Sequence, residues 1–146
     1  MEKDLATKYW IETRWQWMLK VVEQLKERCE NLYDFAEKGY YFFKDDFEYD
    51  PKGVKKRFAK EGVAEKLEKL RDEFGKHQDL TKSVAEQTIR GLAESMEVGA
   101  GQLIHPTRLA LTGMTGGPGL FDIIELINQP EVDKRLSRAI EFIRSL

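Results

Sequence analysis

The chain has 146 residues, of which 41% are hydrophobic and 34% are charged. This length and apolar content suit a chain with a real core and exclude one that is wholly disordered. The single cysteine excludes an internal disulfide and a multi-cysteine zinc site, and the formal net charge of -2 gives no global basic character. No apolar run reaches the length of a membrane span and the start carries no signal core, so we expect a soluble cytoplasmic protein.

The first segment predicts a long helix with one apolar face, because its apolar residues recur at steps of three and four. These residues are Ile11, Trp15, Met18, Val22, Leu25, Cys29 and Leu32. We expect Trp15 in the core. Asn31 with Asp34 three residues later is typical of a helix N-cap, and it predicts a break near residues 29–31.

An aromatic run and a hinge follow. The run Tyr40–Phe43 is expected in the core, and it is the one strand candidate in the sequence. Residues 44–50 mix acidic and aromatic side chains and are interpreted as a hinge between two subdomains. Asp50 before Pro51 predicts the N-cap and first residue of the next helix.

The rest of the chain predicts further helices separated by glycine and proline. The residues that outline them run from Val63 to Phe74, Val84 to Met96, Gln102 to Thr112, Leu120 to Ile127 and Val132 to Ile143. Either Asp79 or Thr81 caps the second of these, and Pro106 either interrupts or starts the third. We therefore predict an all-α protein with two small helical bundle subdomains, residues 1–48 and 49–146.

No group of residues assembles an active site. The glycine-rich loop 113–119 lacks the Lys-Ser/Thr ending of a phosphate-binding P-loop, so it is interpreted as a tight turn. Cys29 has no neighbouring base and is interpreted as a structural thiol. His77 is expected near a helix end and His105 as a solvated or packed ring. We expect no catalytic residue, no metal and no cofactor in this chain.

The strongest local charge lies in residues 51–60, which hold five basic residues and no acidic one. Residues 52–76 contain nine basic and five acidic residues. Such an excess fits either phosphate contacts or a solvated surface, and charge alone leaves both open. The phosphate-contact candidates are Lys52, Lys55, Lys56 and Arg57.

The last third carries a dense, ordered set of motifs. Residues 101–113 fit a G-Q-x-x-x-P-x-R-x-A-x-T-G pattern, and residues 118–122 read P-G-L-F-D, followed by a Lys- and Arg-rich helix from Lys134. Together they resemble the C-terminal end of bacterial-type glutamyl-tRNA synthetases. Residues 25–35 and 41–43 also resemble that family's first anticodon-binding subdomain, so the resemblance covers roughly residues 15–146.

The resemblance implies an all-α module that binds the anticodon stem-loop of tRNA-Glu. Arg108 matches the arginine that reaches anticodon-loop bases or phosphates. Pro118, Gly119 and Leu120 match the turn around the first anticodon base. The preceding position varies in the family, and Gly117 offers no side chain there.

A second set of contacts is implied in the first subdomain. Arg28 best matches the arginine near the third anticodon base, and Lys26 is the alternative. An arginine there favours the cytosine of Glu anticodons over the guanine of Gln anticodons, so the resemblance leans toward a tRNA-Glu-discriminating enzyme and leaves a non-discriminating one open.

The family's catalytic signatures, of the H-x-G-H and K-M-S-K-S types, are absent from this chain. ATP and Mg²⁺ are therefore expected to belong to a catalytic domain that precedes it in the parent enzyme. We expect this region alone to be a monomer that catalyses no aminoacylation. The rival hypothesis is a helical protein–protein interaction bundle, in which Trp10, Trp15 and Trp17 mark the interface.

Overall fold

The computed structural model describes the backbone of residues 2–146 and the side chains from residue 14 onwards. This part of the chain consists of helices and connecting turns without a strand, which confirms the all-α prediction. The α-helices are α1 (Glu2–Leu25), α2 (Leu32–Lys38), α3 (Tyr40–Phe43), α4 (Pro51–Gly53), α5 (Val63–Phe74), α6 (Lys82–Ser95), α7 (Gly101–Thr112), α8 (Leu120–Ile127) and α9 (Glu131–Arg144). By their contacts they form two compact units, Met1–Tyr40 and Tyr41–Leu146.

The predicted hinge is packed within the second unit. Phe47 and Tyr49 are only 8% and 9% exposed. The Tyr49 ring lies 5.2 Å from the ring of Phe58 and 4.8 Å from that of Phe142, measured between centroids. By their contacts residues 41–48 therefore belong with the second unit. The sequence analysis places the boundary between the two anticodon-binding subdomains after residue 48, and that boundary stays a prediction.

The break after the first helix is confirmed. Helix α1 ends at Leu25 and a single 3₁₀ turn covers Lys26–Arg28. The side chain of Asn31 then accepts a hydrogen bond from the backbone N–H of Asp34 at 2.9 Å. Because this bond satisfies one of the open N–H groups of the next helix, Asn31 fixes where α2 begins.

The predicted apolar face of α1 is partly wrong. Trp15, expected in the core, is 60% exposed and Leu32 is 87% exposed, while Val21 and Leu25 are buried. Successive side chains of an α-helix are rotated by 100° about its axis, so Trp15 points roughly 100° away from the mean direction of the buried Val21 and Leu25. Leu32 is not on this face because α1 ends at Leu25. The first predicted member of the face, Ile11, lies outside the described side chains.

The second unit is a helical bundle built on the pairing of α5 with α9. Helices α6, α7 and α8 complete its core. The buried side chains include Leu67, Phe74, Ile89, Leu109, Ile123 and Ile140. The predicted alternatives for the cap of α6 are resolved: Thr81 Oγ1 accepts from the N–H of Val84 at 3.2 Å, whereas Asp79 accepts from the side chain of Asn128.

Two local predictions change in the structure. Helix α7 begins at Gly101 and runs through Pro106, which is buried and neither interrupts nor starts it. Because proline has no backbone N–H, α7 lacks the helical hydrogen bond that this position would otherwise donate. The aromatic run Tyr40–Phe43 is a short helix and not a strand, and only Tyr41 and Phe42 are buried.

Candidate nucleic-acid interface

The glycine-rich loop begins at a well-defined helix end. At the C-terminus of α7, Gly113 adopts the left-handed conformation, and its N–H donates to the carbonyl of Leu109 at 2.8 Å. The hydroxyl of Thr112 lies 2.7 Å from the carbonyl of Arg108, to which it donates, and accepts from the N–H of Met114 at 3.0 Å. These bonds satisfy the open groups of the helix end, so the direction in which the loop leaves α7 is fixed.

The loop is packed against residues 47–53. The carbonyl of Gly113 accepts a hydrogen bond from the N–H of Asp50 at 2.8 Å. A Cβ placed on Gly113 would lie 2.5 Å from the carbonyl oxygen of Glu48, and one on Gly53 would lie 2.8 Å from the methyl group of Thr115. The two segments therefore approach so closely that any larger residue at either position would force its neighbour to move.

Arg108 meets the turn at residues 117–120. Its Nη1 donates to the carbonyl of Pro118 at 2.5 Å. Pro118 and Leu120 are buried, whereas Gly117 and Gly119 are exposed. The φ of Gly117 is 139°, a conformation that favours glycine. Thus the five residues that the resemblance singled out in the second unit lie together, with exposed backbone beside a half-buried guanidinium.

The start of α8 already carries a negative charge. A Cβ on Gly119 would lie 2.9 Å from Oδ2 of Asp122. Asp122 also forms an ion pair with Lys82, with 3.1 Å between Oδ1 and Nζ. Because a carboxylate at this helix terminus repels another anion, the turn suits a base edge better than a phosphate.

The candidate residues of the first unit occupy the 3₁₀ turn between α1 and α2. Lys26 forms an ion pair with Glu23 at 2.9 Å, and the hydrogen bond from Lys26 to Glu23 raises the pKa of the lysine. The side chain of Arg28 is exposed, and the carbonyl of Arg28 accepts from Nζ of Lys38. The turn therefore presents an exposed arginine next to a lysine that already has an acidic partner.

The basic stretch divides into two groups. Lys52 lies in α4, and Lys55, Lys56 and Arg57 lie on the wide π-helical turn Val54–Phe58. Lys56 and Arg57 line a cavity of about 510 Å³, whereas Lys52 and Lys55 do not. The same cavity is lined by Lys60, the last member of the basic stretch, and by two residues that the sequence did not single out for binding, Lys66 and His105.

Two arginines of α9 hold residues 44–49 in place, a role that the sequence did not reveal. Arg135 is 3% exposed and donates to the carbonyl of Leu111 at 2.8 Å. Arg138 donates to the carbonyls of Asp45 and Phe47, the latter at 2.6 Å. Their spacing on one helix face was visible in the sequence, but the carbonyls they meet lie more than 20 residues away along the chain.

No metal or membrane feature accompanies this interface in the described part of the chain. Its His, Cys, Asp and Glu side chains form no group of three that could hold a metal ion. Among the described residues, no helix has both the length and the apolar character needed to cross a bilayer.

Comparison with known proteins points to one family. The family model described as "Anticodon binding domain" matches residues 3–140. The chain is 39% identical over 132 residues to "Glutamate--tRNA ligase 2" of Thermoanaerobacter pseudethanolicus and 43% identical over 129 residues to "Glutamate--tRNA ligase" of Desulforudis audaxviator. These alignments cover 90% and 87% of this chain but only 28% and 26% of the two relatives.

Solved structures agree with the sequence relatives. The crystal structure of a glutamate tRNA ligase from Elizabethkingia meningosepticum, in complex with its amino acid, matches with a TM-score of 0.81 and 29% identity. The match covers 88% of this chain and 25% of that one, so the chain spans about a quarter of the proteins it resembles. Since the family model covers nearly all of the described residues, the chain belongs to the anticodon-binding domain family.

Proposed function

We propose that this chain binds the anticodon stem-loop of tRNA-Glu as the anticodon-binding module of a glutamate–tRNA ligase. One observation carries the proposal: the guanidinium of Arg108 lies on the carbonyl of Pro118, beside the exposed backbone of Gly117. Arginine offers a planar face and fixed donors to unstacked loop bases, and bare backbone lets a base edge approach closely. Membership of the anticodon-binding family supports the same function.

In the first unit we propose Arg28, rather than Lys26, as the RNA contact. Lys26 must give up its ion pair with Glu23 before it can bind RNA, whereas Arg28 presents an exposed guanidinium in the same turn. Arg28→Ala should therefore weaken binding more than Lys26→Ala does. Titrating the chain with tRNA-Glu and tRNA-Gln transcripts and comparing the two affinities measures whether the module distinguishes their anticodons.

The proposal places the chemistry outside this chain. The parent enzyme would ligate glutamate to tRNA with ATP and Mg²⁺ held by its catalytic region, and the chain would act in the cytoplasm, where tRNA is charged. The partners proposed are the tRNA-Glu stem-loop and the catalytic region of the same enzyme. We propose that the chain is a monomer in solution. Sedimentation velocity measures its oligomeric state directly.

The test is a titration of the chain with a tRNA-Glu anticodon stem-loop. Arg108→Ala should weaken binding by about 1–3 kcal/mol, the scale for lost hydrogen bonds to a charged group. Arg144→Ala is the matched control, because Arg144 is an exposed arginine at the end of α9 whose ion pair is with Glu68 on α5. Equal affinities for wild type and the Arg108 variant would contradict the site.

A second candidate function rests on the apolar surface of the first unit. Trp15, Leu19 and Val22 of α1 are 60%, 46% and 37% exposed, which favours a protein-interaction role. Trp10 lies outside the described side chains. If the chain self-associates and binds neither tRNA-Glu nor tRNA-Gln, this candidate replaces the RNA-binding function.

A further inference from the structure

A second basic surface lies beside the candidate anticodon site on the second unit. We name it the basic groove: the cavity of about 510 Å³ lined by Lys56, Arg57, Lys60, Lys66, His105 and one acid, Glu61. Three chain segments meet there, namely the π-helical turn, the start of α5 and the first half of α7. No single stretch of sequence contains the groove.

The cations that line the groove outnumber its acidic residue. Among the described residues, none of the four groove cations Lys56, Arg57, Lys60 and Lys66 forms an ion pair with a carboxylate. The ammonium group of Lys66 is instead held by the side-chain carbonyl of Gln102 on α7 at 2.9 Å. A site with four cations against one acid has a positive potential that attracts anions.

The pKa of His105 responds to this positive potential. Burial lowers the pKa of His105, and the positive charges of Arg57, Arg108 and Lys56 lower it further. The imidazole is thus held in surroundings that disfavour a further positive charge. An anion bound in the groove would relieve this repulsion.

The groove is next to the candidate anticodon site. His105 and Arg108 are three residues apart on α7, so their Cβ atoms lie about 5–6 Å from each other on the same helix face. An RNA strand whose base meets the turn at residues 117–120 therefore has its neighbouring backbone within reach of the groove. The π-helical turn supports this arrangement, since such turns are frequent at functional sites.

We propose that the basic groove is a phosphate-binding site for the RNA backbone that flanks the anticodon nucleotides. This inference rests on the proposed function and deepens it. It assigns Lys60, Lys66 and His105 to RNA contact and separates Lys56 and Arg57, which line the groove, from Lys52 and Lys55, which do not. Phosphodiester oxygens are the ligand class, because they accept hydrogen bonds from ammonium, guanidinium and imidazolium groups.

The first experiment compares two charge-matched double variants of the chain. Lys60→Gln/Lys66→Gln removes two groove lysines, and Lys69→Gln/Lys76→Gln removes two exposed lysines outside the groove. Affinity for the tRNA-Glu anticodon stem-loop is measured over a series of salt concentrations, with circular dichroism to verify folding. We expect the groove variant to bind on the order of tenfold more weakly. Its plot of log affinity against log salt should be less steep by about two, roughly one for each lost phosphate contact, while the control keeps the wild-type slope.

The outcomes separate this inference from the proposed function. If wild type binds the stem-loop and the two double variants lose equal affinity and slope, the positive charge acts diffusely and the groove is no site, while the RNA-binding function stands. If wild type binds no stem-loop, the proposed function fails and the groove proposal fails with it.

The second experiment follows the His105 ring by NMR during a pH titration, with and without the stem-loop. Phosphate in the groove should raise the pKa of His105, because an anion favours the imidazolium form. The other charged groups facing the ring are Lys56, Arg57, Lys60, Glu61, Lys66 and Arg108. His77, the other histidine of the sequence, lies outside the groove and supplies an internal control. A pKa of His105 that does not move while RNA is bound overturns the proposal.

Discussion

Gly113 and Gly62 have similar left-handed backbones in different surroundings. Their φ angles are 73° and 79°. A Cβ on Gly113 would lie 2.5 Å from the carbonyl of Glu48, whereas a Cβ on Gly62 meets nothing within 4 Å. The requirement for glycine at position 113 is therefore both conformational and steric, and the steric part reflects how closely the candidate RNA-binding loop approaches residues 47–48.

Alanine should be tolerated better at position 62 than at position 113. Gly62→Ala should destabilise the fold by about 1–2 kcal/mol, the cost of a left-handed non-glycine residue. Gly113→Ala should cost about 1–3 kcal/mol more, because the loop must move away from Glu48. Urea denaturation of both variants measures the difference. Equal losses of stability would mean that the loop is not packed as described.

Helix α9 both closes the core and positions the segment before α4. Arg138 donates to the carbonyls of Asp45 and Phe47, and its guanidinium lies 5.1 Å from the ring centroids of Phe47 and Tyr49. Because Asp50 in turn donates to Gly113, the segment that Arg138 holds is the one on which the glycine-rich loop rests.

Removing the hydrogen bonds that Arg138 donates should destabilise the second unit. Arg138→Met keeps most of the apolar stem but removes the donors to two carbonyls, which should cost about 2–3 kcal/mol. The control is Arg144→Gln on the same helix, where an exposed ion pair with Glu68 should contribute less than about 1 kcal/mol. Thermal unfolding of both variants measures the loss of stability. Losses of similar size would contradict the role of Arg138 in holding residues 45–47.

Helix ends could be predicted better than helix faces. Asn31, Thr81 and the Asp50–Pro51 pair start helices as their side-chain chemistry requires, since each cap bonds a neighbouring N–H group. The buried face of α1 was assigned partly wrongly because spacings of three and four residues are compatible with more than one direction around a helix. Packing partners, which the sequence does not specify locally, select among those directions.

The stability of the fold depends on pH through the contact between residues 44–50 and α9. Asp45 and Lys134 form an ion pair at 2.6 Å. The hydrogen bond from Lys134 lowers the pKa of Asp45 and outweighs the effect of burial, which raises it. A carboxyl whose pKa is lower in the folded than in the unfolded state stabilises the fold above the unfolded pKa, near 3.9, and this stabilisation is lost as pH falls through the lower folded value.

Asp45→Asn should therefore be less stable than wild type at neutral pH, and the gap should close in acid. The expected result is a constant difference in free energy of unfolding from about pH 6 to 8 that shrinks below about pH 4. Urea titrations at several pH values measure it. A gap that persists unchanged at pH 3 would show that the ion pair is not its source.

The helical class, most helix ends and, through the ordered motifs of the last third, the family follow from the amino-acid sequence alone. These properties depend on local chemistry: caps, proline and glycine positions, and residues that lie close together along the chain. Tertiary packing is what brings Arg108 to the Pro118 carbonyl and Arg138 to residues 45–47. It also brings Lys60, Lys66 and His105 into one groove. Those contacts join residues that are distant in sequence, and their geometry follows from how the whole core packs.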